Sequence, residues 1–138
     1  SVTGVQTCAL PIFTYDKLIN QFSGVSGPNC FATIAGAIVK ENRQQVYSQW
    51  MHWPKFEQYL FEYGFKVVNS STPKTGDVLV FSRNSNPIHA AYFLGEGFYF
   101  EKPGQDFYEP YRIGSMQNWQ SDWPEANLVL WRRTLDHD

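Results

Sequence analysis

The chain carries no block of lysine or arginine: its 11 basic residues are scattered among 13 acidic ones, for a formal net charge of −2. That leaves no basic surface of the kind that neutralises a phosphate backbone, and a nucleic-acid partner is not expected. The longest apolar stretches, CFATIAGAIV and NLVLW, fall well short of the roughly 20 residues needed to cross a bilayer as a helix, so no membrane span is expected either. The three histidines are scattered and show none of the paired His/Cys spacings of zinc sites. No Gly-rich loop is present to cradle phosphate, and no metal site is expected.

Cysteine is scarce, at two residues, and an even count in an exported protein would by default suggest one disulfide. Cys8 is set aside from that argument. Residues 2–12, VTGVQTCALPI, resemble the in-frame translation of a sequencing adapter, so residues 1–13 are read as an artefactual or disordered arm. On that reading the natural start, with any signal peptide, is expected to have been cut away, and the source is expected to be metagenomic. Residues 14–138 are read as a single domain, long enough to bury about two thirds of the surface its unfolded form exposes. With 43% hydrophobic, 17% charged and 17% aromatic residues, the composition is that of a folded globular protein.

Along the chain, TYDKLINQF at 14–22 has helical spacing after a Thr14 cap. SGVSGPN then breaks the chain, and CFATIAGAIVKEN follows as a helix apolar almost all round, hence buried, with Asn29 as N-cap. A third helix is expected over PKFEQYLFEYG: Pro54 suits its first turn, Phe56, Tyr59, Leu60 and Tyr63 form one stripe, and Gly64 is a natural stop. FKVV leads out of it as a strand, and from residue 76 onward DVLVF, HAAYFL, FYFEK, YRI and LVLWRR read as short β runs. Helices first and strands afterwards predict an α+β domain, its N-terminal helices packed on an antiparallel sheet of about five strands.

A thiol becomes a strong nucleophile as thiolate, which a helix N-terminus and a neighbouring imidazolium both favour. Cys30 stands where the buried helix is expected to begin. His89 opens HAAYFLGEGFYFEK, in which GEG forms a tight loop with Gly97 left-handed, as in a bulged hairpin. If Leu94 pairs with Phe98, then Phe93 faces Tyr99, Ala91 faces Glu101, and His89 lies diagonal to Glu101 on the same face, with the small Ala91 leaving room. Cys30, His89 and Glu101 then make a nucleophile, a general base and the carboxylate that orients it. His52, near an aromatic run, and His137, at the chain end, are poorer candidates. Trp50, Trp53, Tyr92, Trp119 and Trp123 are expected to serve mainly in packing.

This arrangement resembles the NlpC-type family of papain-like cell-wall peptidases over roughly residues 28–102. A cysteine opens a buried helix, GDVLVF supplies Gly76 and Asp77 before a strand, His89 opens the next strand, and a polar residue follows 12 positions later at Glu101. Asn-Cys-Phe-Ala stands where the family usually has Asp-Cys-Ser-Gly, and glutamate stands where histidine is common, which is similar to CHAP-type amidases. The resemblance implies a papain-like fold, no cofactor, and thiolate attack on an amide through an acyl-enzyme. It also implies a peptide or peptidoglycan-like substrate and a secreted or periplasmic location. The residues themselves leave two alternatives open: an inactive papain-like binding module, and an acyltransferase or amidase acting on another substrate.

Overall fold

The computed structural model describes residues 30–102 and 111–134. The arm at 1–13 with Cys8, the helix expected over 14–22, the Asn29 cap and His137 lie outside the described residues. Four helices and six strands follow in the order α1 Cys30–Ile38, α2 Arg43–Tyr47, α3 Trp53–Glu62, β1 Phe65–Val68, β2 Val78–Arg83, β3 Asn86–Gly95, β4 Phe98–Glu101, β5 Arg112–Ser115, α4 Trp119–Asp122 and β6 Asn127–Arg133. This is an α+β arrangement, with every strand pairing antiparallel in one sheet of order β1-β6-β2-β3-β4-β5. The sheet has six strands where about five were expected, because FKVV does not stop at the helix exit but pairs with β6 from Phe65 opposite Arg133 to Val68 opposite Leu130.

Both sheet faces are covered, which explains why β2 reads as the continuous apolar run VLVF rather than as an alternation. Val78 and Val80 face a core made with α1 and α3, while Leu79 and Phe81 face a second cluster with Ala91, Phe93, Tyr99 and Leu130. In α1 every residue from Phe31 to Ile38 is buried, as expected from a segment with no polar stripe. In α3, Phe56 and Leu60 are fully buried and Tyr59 and Tyr63 pack beside them. Each full burial of this kind is worth about 1.5–3 kcal/mol. Gly64 ends that helix with φ 82°, a conformation that costs glycine little. The two short helices α2 and α4 were not foreseen: five and four residues are too few to show a periodic stripe.

Asp77, the acid of the Gly-Asp pair, ties the sheet together. Its buried carboxylate accepts Arg132 Nε and a terminal guanidinium nitrogen of the same residue, each at 2.9 Å, and the Lys74 backbone N–H at 2.8 Å. The bidentate geometry anchors the entry of β2 to β6, two strands that are neighbours in the sheet but far apart in sequence.

At the other side of the sheet, Gly114 lies directly over the Tyr99 ring. A Cβ at position 114 would sit 2.6 Å from Tyr99 Cζ, and Tyr99, fully buried, has nowhere to move. Gly114→Ala is therefore expected to destabilise the protein by about 1–3 kcal/mol, read from urea denaturation, with Tyr99→Leu in the same chain recovering part of the loss. An unchanged midpoint in Gly114→Ala would show that the ring yields freely.

Candidate active site

Two irregularities in β3 aim the site. Phe81 pairs with His89 but Ser82 pairs with Pro87, so Ile88 is an extra residue in the strand. Such a bulge lets two successive residues turn to the same side: Ile88 packs against the Leu79–Phe81 cluster, and His89 stacks on Phe81 at 5.5 Å and 23°. At the other end of β3, Gly95 rather than Leu94 pairs with Phe98, correcting the expected hairpin register, and Leu94 is the extra residue. Glu96 and Gly97 both have positive φ, 54° and 85°, so the turn is the two-residue form that suits strand twist. Phe93 still pairs with Tyr99, because the bulge absorbs the shift before that pair. The face on which His89 and Glu101 meet is therefore the expected one.

The meeting is close. His89 Nε2 and Glu101 Oε1 are 2.6 Å apart, and both side chains are 0% exposed. Glu101 is thus no solvated edge residue. Its second oxygen, Oε2, accepts Arg112 Nε from β5 at 2.7 Å. The imidazole is covered by Trp123, whose ring lies 4.1 Å away and nearly parallel at 19°.

Cys30, a free thiol at half-buried depth, is the first residue of α1 among those described. Its sulfur lies 3.9 Å from the carbonyl oxygen of the bulged Ile88, which brings α1 to the start of β3. With Nε2 engaged by Glu101, the ring nitrogen left over is Nδ1, which is buried and has no hydrogen-bond partner. The sulfur is near enough to favour charge on the ring, yet the thiol is turned to Ile88, so Cys30 and Nδ1 are apposed rather than bonded.

Burial alone would pull the His89 pKa down, but the neighbouring Cys30 and Glu101 outweigh it and raise the value to about 9. Glu101 is the converse: burial pushes it up, while His89 and Arg112 hold it below the ordinary carboxylate value. The pair is therefore a buried imidazolium–carboxylate at neutral pH.

All three residues singled out from the sequence, Cys30, His89 and Glu101, are gathered in one place. His52 is exposed at the surface, where its Nε2 accepts the Trp50 indole N–H at 3.3 Å. Trp53 and Tyr92 pack against the helix-side core and Trp119 against the second cluster, while Trp50 is half exposed. Arg112 and the specific role of Trp123 were missed by sequence reading. No local pattern marks them, because both reach the site through β5 and α4 pairing at long range. Among the described residues no three of His, Cys, Asp or Glu gather as a metal site would need, and no helix is long and apolar enough to cross a membrane. A groove of about 840 Å³ lies between the Pro73–Lys74 loop and the Gly95–Gly97 turn, at the far end of β3 from His89 and about 20 Å away.

No family model matches the chain, and no curated protein does.

The charge on the pair has a consequence for stability. The stabilisation from His89 is full below the ordinary histidine value of 6.5 and is lost as pH rises through about 9. That from Glu101 is present above 4.5 and is lost as pH falls through its lowered folded value. Stability measured by urea denaturation is expected to decline between roughly pH 7 and 10, with a slope that His89→Ala removes. A difference between the two chains that stays flat over that range would contradict a buried imidazolium.

Proposed function

We propose that the chain is a papain-like, NlpC-related cysteine hydrolase that cleaves an amide bond, with Cys30 as nucleophile, His89 as general base and Glu101 as the residue that orients it. The observation that carries this reading is the buried 2.6 Å contact of His89 Nε2 with Glu101, which leaves Nδ1 without a partner while Cys30 lies near enough to act on the ring. A histidine that served packing alone would need neither a buried carboxylate on one nitrogen nor an open second nitrogen beside a thiol.

In this mechanism the thiol proton has already passed to His89 Nδ1, and the resulting thiolate, paired with the imidazolium, attacks the amide carbonyl carbon. The imidazolium, held by Glu101, then gives that proton to the departing amine nitrogen, leaving a thioester on Cys30. Water, deprotonated by the same nitrogen, attacks the thioester and releases the carboxylic acid and the free thiol. The backbone N–H of Cys30, at the start of α1, is placed in this scheme to donate to the developing oxyanion. Both ends of the reaction use one titratable ring, which is why fixing its orientation matters.

The resemblance in Gly76-Asp77, His89 and Glu101 favours a peptidoglycan stem peptide as substrate and an exported location. The six-stranded antiparallel sheet with α1 against β3 is compatible with the papain-like core that such enzymes use.

Turnover is to be followed by mass spectrometry as new amine ends released from a panel of muropeptides and other amides. Cys30→Ala is expected to abolish it without unfolding the chain, His89→Ala to lower it by roughly 10²–10⁴-fold, and Glu101→Gln to leave a weaker but measurable enzyme. In parallel, with Cys8 changed to Ser, His89→Ala is expected to slow alkylation of Cys30 by iodoacetamide at about pH 6 by tenfold or more. Full turnover in Cys30→Ala would sink the mechanism, and alkylation indifferent to His89 would make the cysteine structural.

A further inference from the structure

Glu101 is gripped from two sides. Oε1 faces His89 at 2.6 Å and Oε2 accepts Arg112 Nε at 2.7 Å, so both carboxylate oxygens are spoken for and the group has one orientation. Arg112 extends beyond this contact: a terminal nitrogen of its guanidinium reaches Asp122 Oδ2 of α4 at 3.3 Å. The next residue, Trp123, is the one stacked on His89. The loop after α4 is fastened in turn, because Arg83 Nε donates to the Pro124 carbonyl at 2.8 Å. The short helix α4 and the residue that follows it thus hold the carboxylate's partner by charge and the imidazole by its face.

We propose that Arg112 is a positioning residue of the Cys30–His89–Glu101 site, locking the Glu101 carboxylate in the orientation that meets His89 Nε2, with α4 steadying the guanidinium through Asp122. The proposal rests on the cysteine-hydrolase reading and adds a residue to it that does not touch substrate. Arg112 suits this task where lysine would not fully replace it: the planar fork reaches Glu101 with Nε and Asp122 with a second nitrogen at the same time. Its side chain is 40% exposed while Glu101 is fully buried, so it brings a cation to a buried carboxylate without itself being buried whole. The Arg112–Asp122 contact, exposed at both ends, adds orientation more than energy.

Among the described residues, few charged or titratable groups act on Glu101, and Lys102, buried beside it in the chain, has a partner of its own. His89 comes from β3, Arg112 from β5, Asp122 from α4 and the Tyr99 phenol from β4 itself, with Cys30 of α1 acting through the imidazole. Tyr99 is held in its neutral form by burial and by the two carboxylates, Glu101 and Asp122, so it does not compete for the negative charge. Of these, His89 and Arg112 are the two that favour the ionised carboxylate. Removing Arg112 therefore has a determined sign, since Glu101 keeps its burial and loses one of the two groups that offset it.

The test is a ¹³C NMR titration of the Glu101 carboxyl in the full chain, alongside the pH profile of Cys30 alkylation with Cys8 changed to Ser. Arg112→Gln is expected to raise the Glu101 midpoint by about one pH unit and to carry the acid limb of alkylation upward with it. Arg112→Lys, keeping a cation, is expected to recover most of the shift. A residue that only braced the fold would lower the melting temperature of Arg112→Gln and leave the Glu101 midpoint where it was, and that result overturns the proposal. Should Arg112→Gln not fold, the unsubstituted chain still decides. Its Arg112 Nε–H is expected to exchange slowly and to lose that protection in Glu101→Gln, whereas fast exchange in the parent chain overturns the proposal. The His89→Ala arm keeps the two readings apart: alkylation indifferent to His89 removes the hydrolase reading, while the carboxyl midpoint reports on Arg112 whichever way that falls.

Discussion

Two ionisable side chains without solvent contact, the His89 imidazole and the Glu101 carboxylate, face each other at 2.6 Å. Placing either one alone in such surroundings would cost several kcal/mol, or would neutralise it. Together, and with Arg112 on the outer oxygen, they can both stay charged. The surrounding structure is arranged so that this condition is met: β3 and β4 must hold register, β5 must carry its arginine to the same point, and α4 must lie where it does.

Register is set by features at the two ends of the hairpin. The Glu96–Gly97 turn with its Leu94 bulge fixes how β3 meets β4, and the Ile88 bulge at the other end turns His89 onto the face of Ala91 and Phe93. A slip of one residue would carry the imidazole to the opposite face, among the side chains packed on α1. The small residues have matching roles. Ala91 leaves the space between the histidine and the glutamate open, and Gly114 allows β5 to lie close over the Tyr99 ring, which brings Arg112, two residues earlier, within reach of Glu101. The two sheet faces divide the work, one building the helix-side core and the other shielding the charged pair.

Much of this was legible from local patterns. A cysteine opening an all-apolar helix, a histidine opening a strand, and a hairpin loop of three residues containing glycine were enough to put Cys30, His89 and Glu101 in one set, since strand alternation survives an error in the turn. The Leu94–Phe98 pairing was wrong by one residue, and a bulge absorbed the error before Phe93 and Tyr99. Where partners came from far along the chain, sequence was silent. Nothing near Asp77 announces Arg132, and nothing near Glu101 announces that Arg112 would face it across an edge strand. The α4 turn that delivers Trp123 is too short for its periodicity to register. The sixth strand was misjudged for a related reason: FKVV had strand character, but its membership of the sheet depends on pairing with β6, more than sixty residues away.

Seen only as a stabilising device, the buried pair is a poor choice. Replacing a buried ion pair with well-packed apolar residues of similar volume is often neutral or stabilising, and Phe81 and Trp123 already supply aromatic surfaces against which an apolar ring would pack at least as well. What an apolar residue cannot do is take up a proton and give it back. The geometry retains that capacity at some expense in desolvation, and it does so beside a half-buried thiol on a different element of the fold. Cys30 and His89 are brought together by the packing of α1 on β3, not by sequence neighbourhood. A buried nitrogen without a hydrogen-bond partner, at the end of the guanidinium–carboxylate–imidazole chain, is costly. In the proposed reaction that nitrogen carries the proton given up by the Cys30 thiol and delivers it to the departing amine.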